Sequence, residues 1–368
     1  MDKYLEKYYG SLVSANGFQF GSEGKGAIVE YLAPITSAAV RIGAPNAGHT
    51  VYYNGLPYVM RQIPCAWINP YAKLIIGISA VISLPILQSE IEKINKILPI
   101  KHRLYVDPRA IVITDDQIAR EMSTGLADRI SSTSAKAGLG IGMAMSDKVL
   151  RSEHCLFAKD VPELQQYMCD TADLINDMLE HDEIVALEGS QGFGLSLEHG
   201  YFPFVTSRDT TTMALFAGVG VNPYVFHTEV IGVVRTFPIR VGGPSGIFDS
   251  DSKEVSWNYV KRFSGSKNDL TERTSVTNSI RRVATFSWQG FDRACMINRP
   301  SEIALTFADY LDARAYNQEN LSKFPKIENF IEILEHHSGV PVGLVKTGPQ
   351  IMIDRDTYRR SMMRKMCY

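Results

Sequence analysis

The sequence predicts an α/β protein with a mainly parallel central sheet and flanking helices, and three observations support that class. Apolar runs rich in Val, Ile and Leu recur along the chain, as expected of strands that are covered on both faces. Helical patterns lie between these runs, and glycine-rich turns mostly follow them. Because such sheets bind ligands at the carboxyl ends of their strands, the glycine-rich turns are the first candidates for a functional site.

The apolar runs predict strands at residues 11–16, 38–42, 73–76, 103–106, 184–187, 230–235, 303–306 and 340–346. Helices are predicted between them at residues 24–32, 84–98, 162–180 and 327–337. The first two end before Pro34 and Pro99, and the last closes at Gly339, since proline and glycine terminate helices. The third carries an apolar stripe at helical spacing, which predicts one amphipathic helix.

Length and composition exclude several classes of protein. The chain has 368 residues, of which 45% are hydrophobic, so it buries a large core and is not disordered. We find no internal repeat or Pro/Ser-rich linker, and one domain over residues 1–368 is expected. The net charge of −2 argues against a nucleic-acid polymer or an anionic membrane as partner. Any anionic ligand must therefore be bound by positively charged or polar groups at its own site, because the net charge of the protein does not attract it.

The chain also carries no signal for export or for a membrane. Its longest apolar run, residues 74–87, is too short to cross a bilayer and is interrupted by Gly77 and Pro85. Charged residues such as Asp2 and Lys3 stand where a signal peptide needs apolar ones. The five cysteines are scattered and fit neither a zinc site nor a disulfide framework. A cytoplasmic protein with free thiols is expected.

The first candidate motif is a glycine-rich turn at residues 17–26, between a predicted strand and a predicted helix. This geometry aims backbone N–H groups and a helix N-terminus at a phosphate. It is not a Walker A sequence, because Gln19 occupies the leading glycine position and Gly26 replaces the hydroxyl after Lys25. A glycine-rich turn without a ligand is the alternative.

Two further segments concentrate polar groups. Asn46, His49 and Thr50 lie within five consecutive positions, where the imidazole is either a general acid or oxyanion donor, or an ordinary loop histidine. The third segment holds Gln191 and a run at residues 206–212 in which four hydroxyls follow Thr206. That run suits hydrogen bonding to a nucleotide, and a solvated Thr-rich loop is the alternative.

Taken in order, these segments resemble the adenylosuccinate synthetases. The glycine-rich signature of that family corresponds to residues 21–27, and its Asn-Ala-Gly-His-Thr is intact at residues 46–50. Further family elements correspond to residues 188–192, 202–207, 240–244, 281–283, 306–309 and 347–349. The resemblance implies a P-loop-NTPase-like fold and a ligase that condenses L-aspartate with a 6-oxopurine nucleotide. A nucleoside triphosphate and Mg²⁺ drive the reaction, first by phosphorylating the C6 oxygen.

The resemblance also implies a set of site residues. Catalytic roles fall on Ser22, Lys25 and His49, with His49 stabilising the charge that develops on the purine oxygen. Triphosphate binding falls on Gly21, Ser22, Glu23, Gly24, Lys25, Gly26, Gly48, His49, Thr50, Asp309, Thr347, Gly348 and Pro349. The residues that bind the purine monophosphate are Ser22, Asn46, Ala47, Ser132, Thr133, Gln191 and Thr206. Aspartate is bound by Thr277 and Arg281, and Mg²⁺ by Ser22 and the Gly48 carbonyl.

The sharpest departure from the family is Ser22, which stands where the family has an Asp that removes the purine N1 proton. A serine hydroxyl is not a base at neutral pH without help, so a dead paralogue is one interpretation. The other is a different substrate, because a smaller hydroxyl leaves room for an amino group at C2. That is guanine, and this replacement marks the phage-type 2-aminoadenylosuccinate synthetases, which act on dGMP toward 2-aminoadenine DNA. We adopt this branch; a phage-encoded enzyme acts in the host cytoplasm.

Smaller departures concern the sugar, the energy donor and the neighbouring subunit. Ser279 replaces an arginine of the aspartate loop, which reduces the penalty for a deoxyribose. Phe307 replaces the family's lysine two residues before Asp309, so an adenine can stack there; ATP or dATP is favoured, and GTP stays open. The resemblance implies a homodimer, but Leu139 stands at the position of the arginine that reaches the neighbouring site, and Lys136 lies three residues earlier.

Three hypotheses follow from these residues. The favoured one is a ligase that joins L-aspartate to dGMP to give 2-amino-2′-deoxy-N6-succinyladenylate. The second is a conventional adenylosuccinate synthetase that acts on IMP with GTP. The third, from another class, is a nucleotide-binding regulator without ligase activity. Turnover with dGMP, with IMP or with neither separates them.

Overall fold

A computed structural model describes residues 5–125, 138–274 and 278–355. Their strands, in chain order, are β1 Ser11–Gly17, β2 Ala38–Arg41, β3 His49–Tyr53, β4 Leu56–Met60, β5 Lys73–Ile76, β6 Val81–Ile82, β7 Leu104–Val106, β8 Ile111–Val112, β9 Leu156–Phe157, β10 Val185–Gly192, β11 His227–Arg235, β12 Ile239–Arg240, β13 Glu254–Val255, β14 Arg282–Ala284, β15 Glu302–Thr306, β16 Val342–Lys346 and β17 Met352–Asp354. Each predicted strand overlaps an observed one.

The α-helices within the same ranges are α1 Lys25–Leu32, α2 Leu84–Asn95, α3 Asp115–Ser123, α4 Ile141–Leu150, α5 Thr171–Glu180, α6 Thr212–Val219, α7 Trp257–Ser264, α8 Trp288–Asn298 and α9 Pro325–Ser338. Three of the predicted helices correspond to α1, α2 and α9, although α2 ends three residues early. No helix in the described part of the chain is long and apolar enough to span a membrane.

The central sheet has nine strands in the order β17, β16, β15, β11, β1, β10, β2, β5, β7. Neighbouring strands are parallel except β16 and β17, which pair antiparallel. The prediction of an α/β fold with a mainly parallel sheet is confirmed. Since strands from both halves of the chain share this one sheet, with β1 between β11 and β10, we propose that residues 1–368 form a single domain.

Alternation along the buried strands separates the two faces of the sheet. Leu12 and Leu187 pack into a core with Met178 of α5 and Phe216 of α6. Residues such as Val13 and Ala186 point the other way, into a larger core around α1 and the fully buried Trp67. Helices cover both faces, which explains why the strands read as near-continuous apolar runs.

The predicted helix at residues 162–180 is wrong as one element. Pro162–Tyr167 form a 3₁₀ helix, and α5 begins only at Thr171. Between them Met168 bridges to Val106 beside the sheet, and the Cys169 N–H donates to the Val106 carbonyl at 3.1 Å. The Asp170 carboxylate then caps α5 by accepting from the Ala172 N–H at 3.1 Å. Pairing with the strand outweighs helical periodicity here, and an N-cap residue restarts the helix.

Candidate active site

A cleft of about 1160 Å³ opens at the carboxyl ends of the central strands. It is lined by most of the sequence-predicted site residues: Gly21, Ser22, Gly24, Lys25, Gly26, Asn46, Ala47, Gly48, His49, Thr50, Gln191, Thr206, Arg281, Asp309, Gly348 and Pro349. The side chains of Glu23 and Thr347 are buried and do not line it. Ser132, Thr133, Lys136 and Thr277 lie outside the described residues.

The glycine-rich turn connects β1 to α1, and its glycines allow a backbone conformation that other residues rarely adopt. Gly21 and Gly24 have φ of 89° and 94°, in the left-handed region that favours glycine. Ser22 also lies there, with φ of 58°, and its side chain is exposed at the cleft. The Ser22 carbonyl accepts from the Arg235 guanidinium at 3.2 Å. The turn therefore presents the Ser22 hydroxyl to the cleft from a fixed backbone.

The side chain of Glu23 is folded beneath this turn. Its carboxylate accepts from the Gly21 N–H at 2.8 Å and from the Lys25 ammonium at 2.6 Å. A Cβ on Gly192 would lie 2.2 Å from the same carboxylate. Position 192 of the neighbouring strand β10 therefore has room only for glycine. The side chain of Glu23 thus holds the loop together from below, and a contact between this residue and the triphosphate stays a prediction. Lys25 keeps two further N–H donors for a ligand.

His49 belongs to a buried network centred on Glu188. One Glu188 oxygen contacts His49 Nδ1 and accepts from the Arg41 guanidinium at 2.8 Å, and the other accepts from the Cys65 N–H at 2.7 Å. Arg41 also donates to the Ala47 carbonyl at 3.0 Å. The carboxylate thus fixes the imidazole and the loop that carries it, and the bond at Nδ1 leaves Nε2 for the cleft.

The charges of this network have identifiable causes. Burial and the Arg41 cation lower the pKa of His49 to about 4, against the opposing effect of Glu188. Burial by itself would raise the pKa of Glu188, but Arg41 and the His49 ring outweigh it and lower that pKa to about 2. At neutral pH Glu188 is ionised, and His49 is a neutral ring that donates from Nδ1.

At the other end of the cleft, Asp309 lies beside an aromatic residue and two cations. Burial raises the pKa of Asp309 to about 7, although Arg235 and Lys346 oppose the shift. The Arg235 guanidinium lies 3.9 Å from the centre of the Phe307 ring, a cation–π contact. Lys346 donates to the Pro349 carbonyl at 2.7 Å. This end of the cleft thus combines an aromatic ring with a carboxyl group whose pKa lies near neutral pH.

Arg235 also connects the cleft to the segment before the predicted aspartate loop. It is fully buried, and its guanidinium pairs with Glu272. The same carboxylate accepts from the Tyr310 hydroxyl at 3.1 Å and lies 3.5 Å from the Arg281 guanidinium. Arg281 Nε is buried with no partner among the described residues. Arg281 thus retains donor capacity for an anion.

Comparison with known proteins relates the chain to one family of enzymes. The family model described as adenylosuccinate synthetase matches residues 15–158 and 157–316. The chain is 38% identical over 347 residues to the adenylosuccinate synthetase of Pyrococcus horikoshii and 36% identical over 347 residues to that of Thermococcus onnurineus, covering 92% of this chain and 97% of each relative.

The chain belongs to the adenylosuccinate synthetase family. Members of this family are C–N ligases that bind nucleotides and aspartate. Two solved structures are also similar. One is the cyanophage S-2L succinoaminodeoxyadenylate synthetase bound to dGMP and dATP as an energy donor, with TM-score 0.77, 28% identity and coverage of 94% of this chain and 95% of that one. The other is the Plasmodium falciparum adenylosuccinate synthetase, with TM-score 0.78, 20% identity and coverage of 94% and 99%; it supports the fold.

Adenylosuccinate synthetases are Mg²⁺-dependent as a family, and the cleft offers oxygen donors that fit that ion. The Ser22 hydroxyl and the Gly48 carbonyl belong to residues that line it, and Mg²⁺ prefers such hard ligands together with phosphate oxygens. The one cluster of three His, Cys, Asp or Glu side chains within the described ranges is His49, Cys65 and Glu188, whose ligand atoms lie within 4.8 Å. Its sulfur and nitrogen donors do not suit Mg²⁺.

Sequence reasoning missed the residues that support the site from beneath. Glu188 lies within the buried strand β10 and Arg235 ends the strand β11, so each is a charged residue in a buried, mainly apolar strand. That contrast is the signal, because a buried charge requires a partner. Their partners Arg41 and Glu272 lie 147 and 37 residues away along the chain, so no local pattern identifies the pairs.

The Glu188 network predicts a large and specific loss of stability. Glu188→Gln leaves the Arg41 guanidinium buried without a carboxylate, and the free energy of unfolding is expected to fall by about 3–5 kcal/mol in urea denaturation. Glu254→Gln is the matched control, because it removes the 47% exposed carboxylate that pairs with Arg282; it should cost less than about 1 kcal/mol. Equal losses in the two variants would contradict the role of Glu188.

Proposed function

We propose that the protein condenses L-aspartate with dGMP, with ATP or dATP as energy donor, to give 2-amino-2′-deoxy-N6-succinyladenylate. The observation that carries this proposal is Ser22, whose exposed side chain lines the cleft on a fixed left-handed turn. A serine there leaves space beside the purine C2 that the family's Asp would fill. The 28% identity to a structure bound to dGMP and dATP supports it.

The reaction has two stages, and atoms balance across them. The γ-phosphoryl group moves to the C6 oxygen of dGMP, which turns that oxygen into a leaving group. The N1 proton of dGMP is lost in this first stage. The aspartate amine then attacks C6, and inorganic phosphate departs as a proton of the amine is lost. Mg²⁺, when bound, neutralises charge on the phosphates. The products are the succinylated nucleotide, a nucleoside diphosphate and phosphate.

Individual residues of this chain serve these stages. Lys25 and the N–H groups of the glycine-rich turn bind phosphates, and Asn46, Ala47, Gln191 and Thr206, with Ser132 and Thr133, bind the purine nucleotide. His49 Nε2 faces the reacting oxygen, and the ionised Glu188 behind the ring stabilises positive charge on it when it takes up a proton. Arg281, with an unpartnered Nε, and Thr277 bind the aspartate carboxylates. Two copies of the chain form the active dimer.

The donor end of the cleft favours adenine. A neutral Asp309 carboxyl can donate to adenine N1 and accept from its exocyclic amine, whereas guanine needs an ionised carboxylate that accepts two hydrogens. With its pKa raised to about 7 by burial, Asp309 is partly protonated at neutral pH, and the Phe307 ring offers an aromatic surface. GTP is also a poor choice for an enzyme whose other site takes a guanine monophosphate.

The second candidate is a conventional synthetase that uses IMP and GTP. It is favoured by the names of archaeal relatives that share 36–38% identity. A substrate matrix of dGMP, GMP and IMP against ATP, dATP and GTP tests both, with the succinylated product identified by mass spectrometry. The dGMP proposal expects dGMP with ATP or dATP to give the highest kcat/KM, and it is abandoned if IMP is equal or better.

Ser22→Asp should invert substrate preference. The added carboxylate crowds the 2-amino group and supplies the missing base for hypoxanthine, so kcat/KM should fall on the order of tenfold or more for dGMP and rise for IMP. Ser250→Asp adds the same charge at an exposed position outside the cleft and should change neither value. A Ser22→Asp variant that keeps full dGMP turnover would show that Ser22 does not select the purine.

His49→Ala should lower kcat with dGMP by at least about 10²-fold, as expected when one charge-stabilising group is lost. Single-turnover kinetics with saturating substrates measure this directly. The control is His102→Ala, which removes an exposed imidazole remote from the cleft and should leave kcat unchanged. Turnover that survives in His49→Ala removes that residue from the mechanism.

The Asp309 carboxyl predicts opposite pH responses for the two donor bases. Below a pKa of about 7 the neutral form dominates, so the affinity for GTP should fall as the pH drops from 8 to 6 while the affinity for ATP is kept or improves. Isothermal titration at both pH values measures this. Asp309→Asn should abolish the difference between the two pH values, and parallel pH curves for ATP and GTP in the parent protein would contradict the assignment.

A further inference from the structure

Three side chains that can bind a metal ion lie together behind the wall of the cleft. The ligand atoms of His49, Cys65 and Glu188 lie within 4.8 Å of one another. A Cβ built on Gly26 would lie 2.8 Å from His49 Cβ and 3.1 Å from Cys65 Sγ, so these two side chains converge where α1 has no side chain of its own. His49 and Gly26 line the cleft, whereas Cys65 and Glu188 are fully buried. The imidazole thus separates the three ligand atoms from the cleft.

The Glu188 carboxylate can bind an ion although Arg41 pairs with it. The Arg41 guanidinium and His49 Nδ1 both contact Glu188 Oε1, and Oε2 accepts from the Cys65 N–H at 2.7 Å. Each carboxylate oxygen has about two lone pairs, so Oε2 can bind an ion while Arg41 stays on Oε1. Burial and the Glu188 carboxylate raise the pKa of the Cys65 thiol well above its ordinary value. The sulfur therefore keeps its proton until an ion takes the place of that proton.

The chemistry of the donor atoms selects the kind of ion. A thiolate sulfur, an imidazole nitrogen and a carboxylate oxygen are ligands of Zn²⁺ in proteins, whereas Mg²⁺ requires oxygen ligands. Three protein ligands leave the fourth position of a tetrahedral zinc ion to water. His49 Nδ1 contacts Glu188 Oε1, and these two atoms must separate as the ion enters. The three side chains therefore suit Zn²⁺ and do not suit the Mg²⁺ that accompanies the nucleotide.

We infer that His49, Cys65 and Glu188 form an inhibitory site for Zn²⁺. As the Zn–S and Zn–N bonds form, the thiol proton leaves to solvent and the Nδ1 proton of His49 moves to Nε2. His49 then faces the cleft with a protonated Nε2 that cannot take up a further proton, so kcat falls. The net charge of the three side chains and the ion rises by one, which limits the affinity and makes the inhibition reversible. The inhibition rests on the proposed function through the role of His49, and the binding of the ion does not.

The test uses Co²⁺ as a spectroscopic substitute for Zn²⁺, because a thiolate ligand gives Co²⁺ an intense charge-transfer band in the near ultraviolet. The full chain, titrated with Co²⁺ in the presence of Mg²⁺, should show this band, and Zn²⁺ should abolish it. Cys65→Ser should remove the band and weaken Zn²⁺ inhibition by at least about tenfold, with each rate compared with the same variant's rate without zinc. Cys65→Ala, which buries no hydroxyl, repeats the test if Cys65→Ser does not fold.

Cys295→Ser is the matched control. Cys295 is also buried, but it does not belong to the group of three ligands. This variant should keep both the Co²⁺ band and the Zn²⁺ inhibition of the parent protein. A band that is lost in Cys295→Ser and kept in Cys65→Ser would place the ion at the wrong cysteine for this inference.

Other outcomes also overturn the inference. A Co²⁺ titration without the band means that Cys65 is not a ligand, and a normal band with undiminished turnover contradicts the inhibitory role. Zn²⁺ inhibition that is equal in the parent and in Cys65→Ser, and that excess Mg²⁺ relieves, means that zinc replaces Mg²⁺ on the phosphates. The substrate proposal fails separately: if IMP is preferred, or if nothing turns over, the Co²⁺ band and its loss in Cys65→Ser still decide whether the ion binds here.

Discussion

The carboxylate of Glu188 is the group on which the geometry of the cleft depends. It lies within the buried strand β10 and contacts Arg41, His49 and the Cys65 N–H at once. Those three groups come from β2, from the loop and strand after it, and from the 3₁₀ helix that follows. A single buried charge thereby fixes the imidazole, while burial and the Arg41 cation keep that ring neutral. The desolvation of the Glu188 carboxylate is offset only because the Arg41 cation is buried beside it.

A second buried carboxylate, that of Glu23, is paired in the same way under the glycine-rich turn. Glu23 holds the Gly21 N–H and Lys25, while Arg235 holds the Ser22 carbonyl from the other side. The turn is thus rigid before any nucleotide arrives, which favours tight binding because less ordering is required. In this setting one side chain at the tip, Ser22, can be changed without disturbing its neighbours. Specificity for the purine can therefore shift while the scaffold of the family is kept.

The sequence predicted the parallel sheet and most of the residues that line the cleft, because both are encoded locally. Apolar runs mark buried strands, and glycine-rich or hydroxyl-rich segments mark the loops at their carboxyl ends. The helix break at Met168 and the Glu188 and Arg235 ion pairs were not predictable in this way. The first depends on pairing with Val106, 62 positions earlier in the numbering, and the others on partners that only the folded sheet brings together. The binding and catalytic roles of the cleft residues, and of Ser132, Thr133 and Thr277, stay predictions.

The central claim is that this chain phosphorylates the C6 oxygen of dGMP before aspartate displaces it. It is tested most directly with dGMP labelled with ¹⁸O at C6, incubated with aspartate, ATP and Mg²⁺. The account predicts that the label leaves in inorganic phosphate, one atom for each succinylated nucleotide formed, and that labelled IMP gives the same transfer more slowly. Product formed without label in the phosphate would contradict the phosphoryl intermediate, and faster transfer from IMP would contradict the choice of substrate.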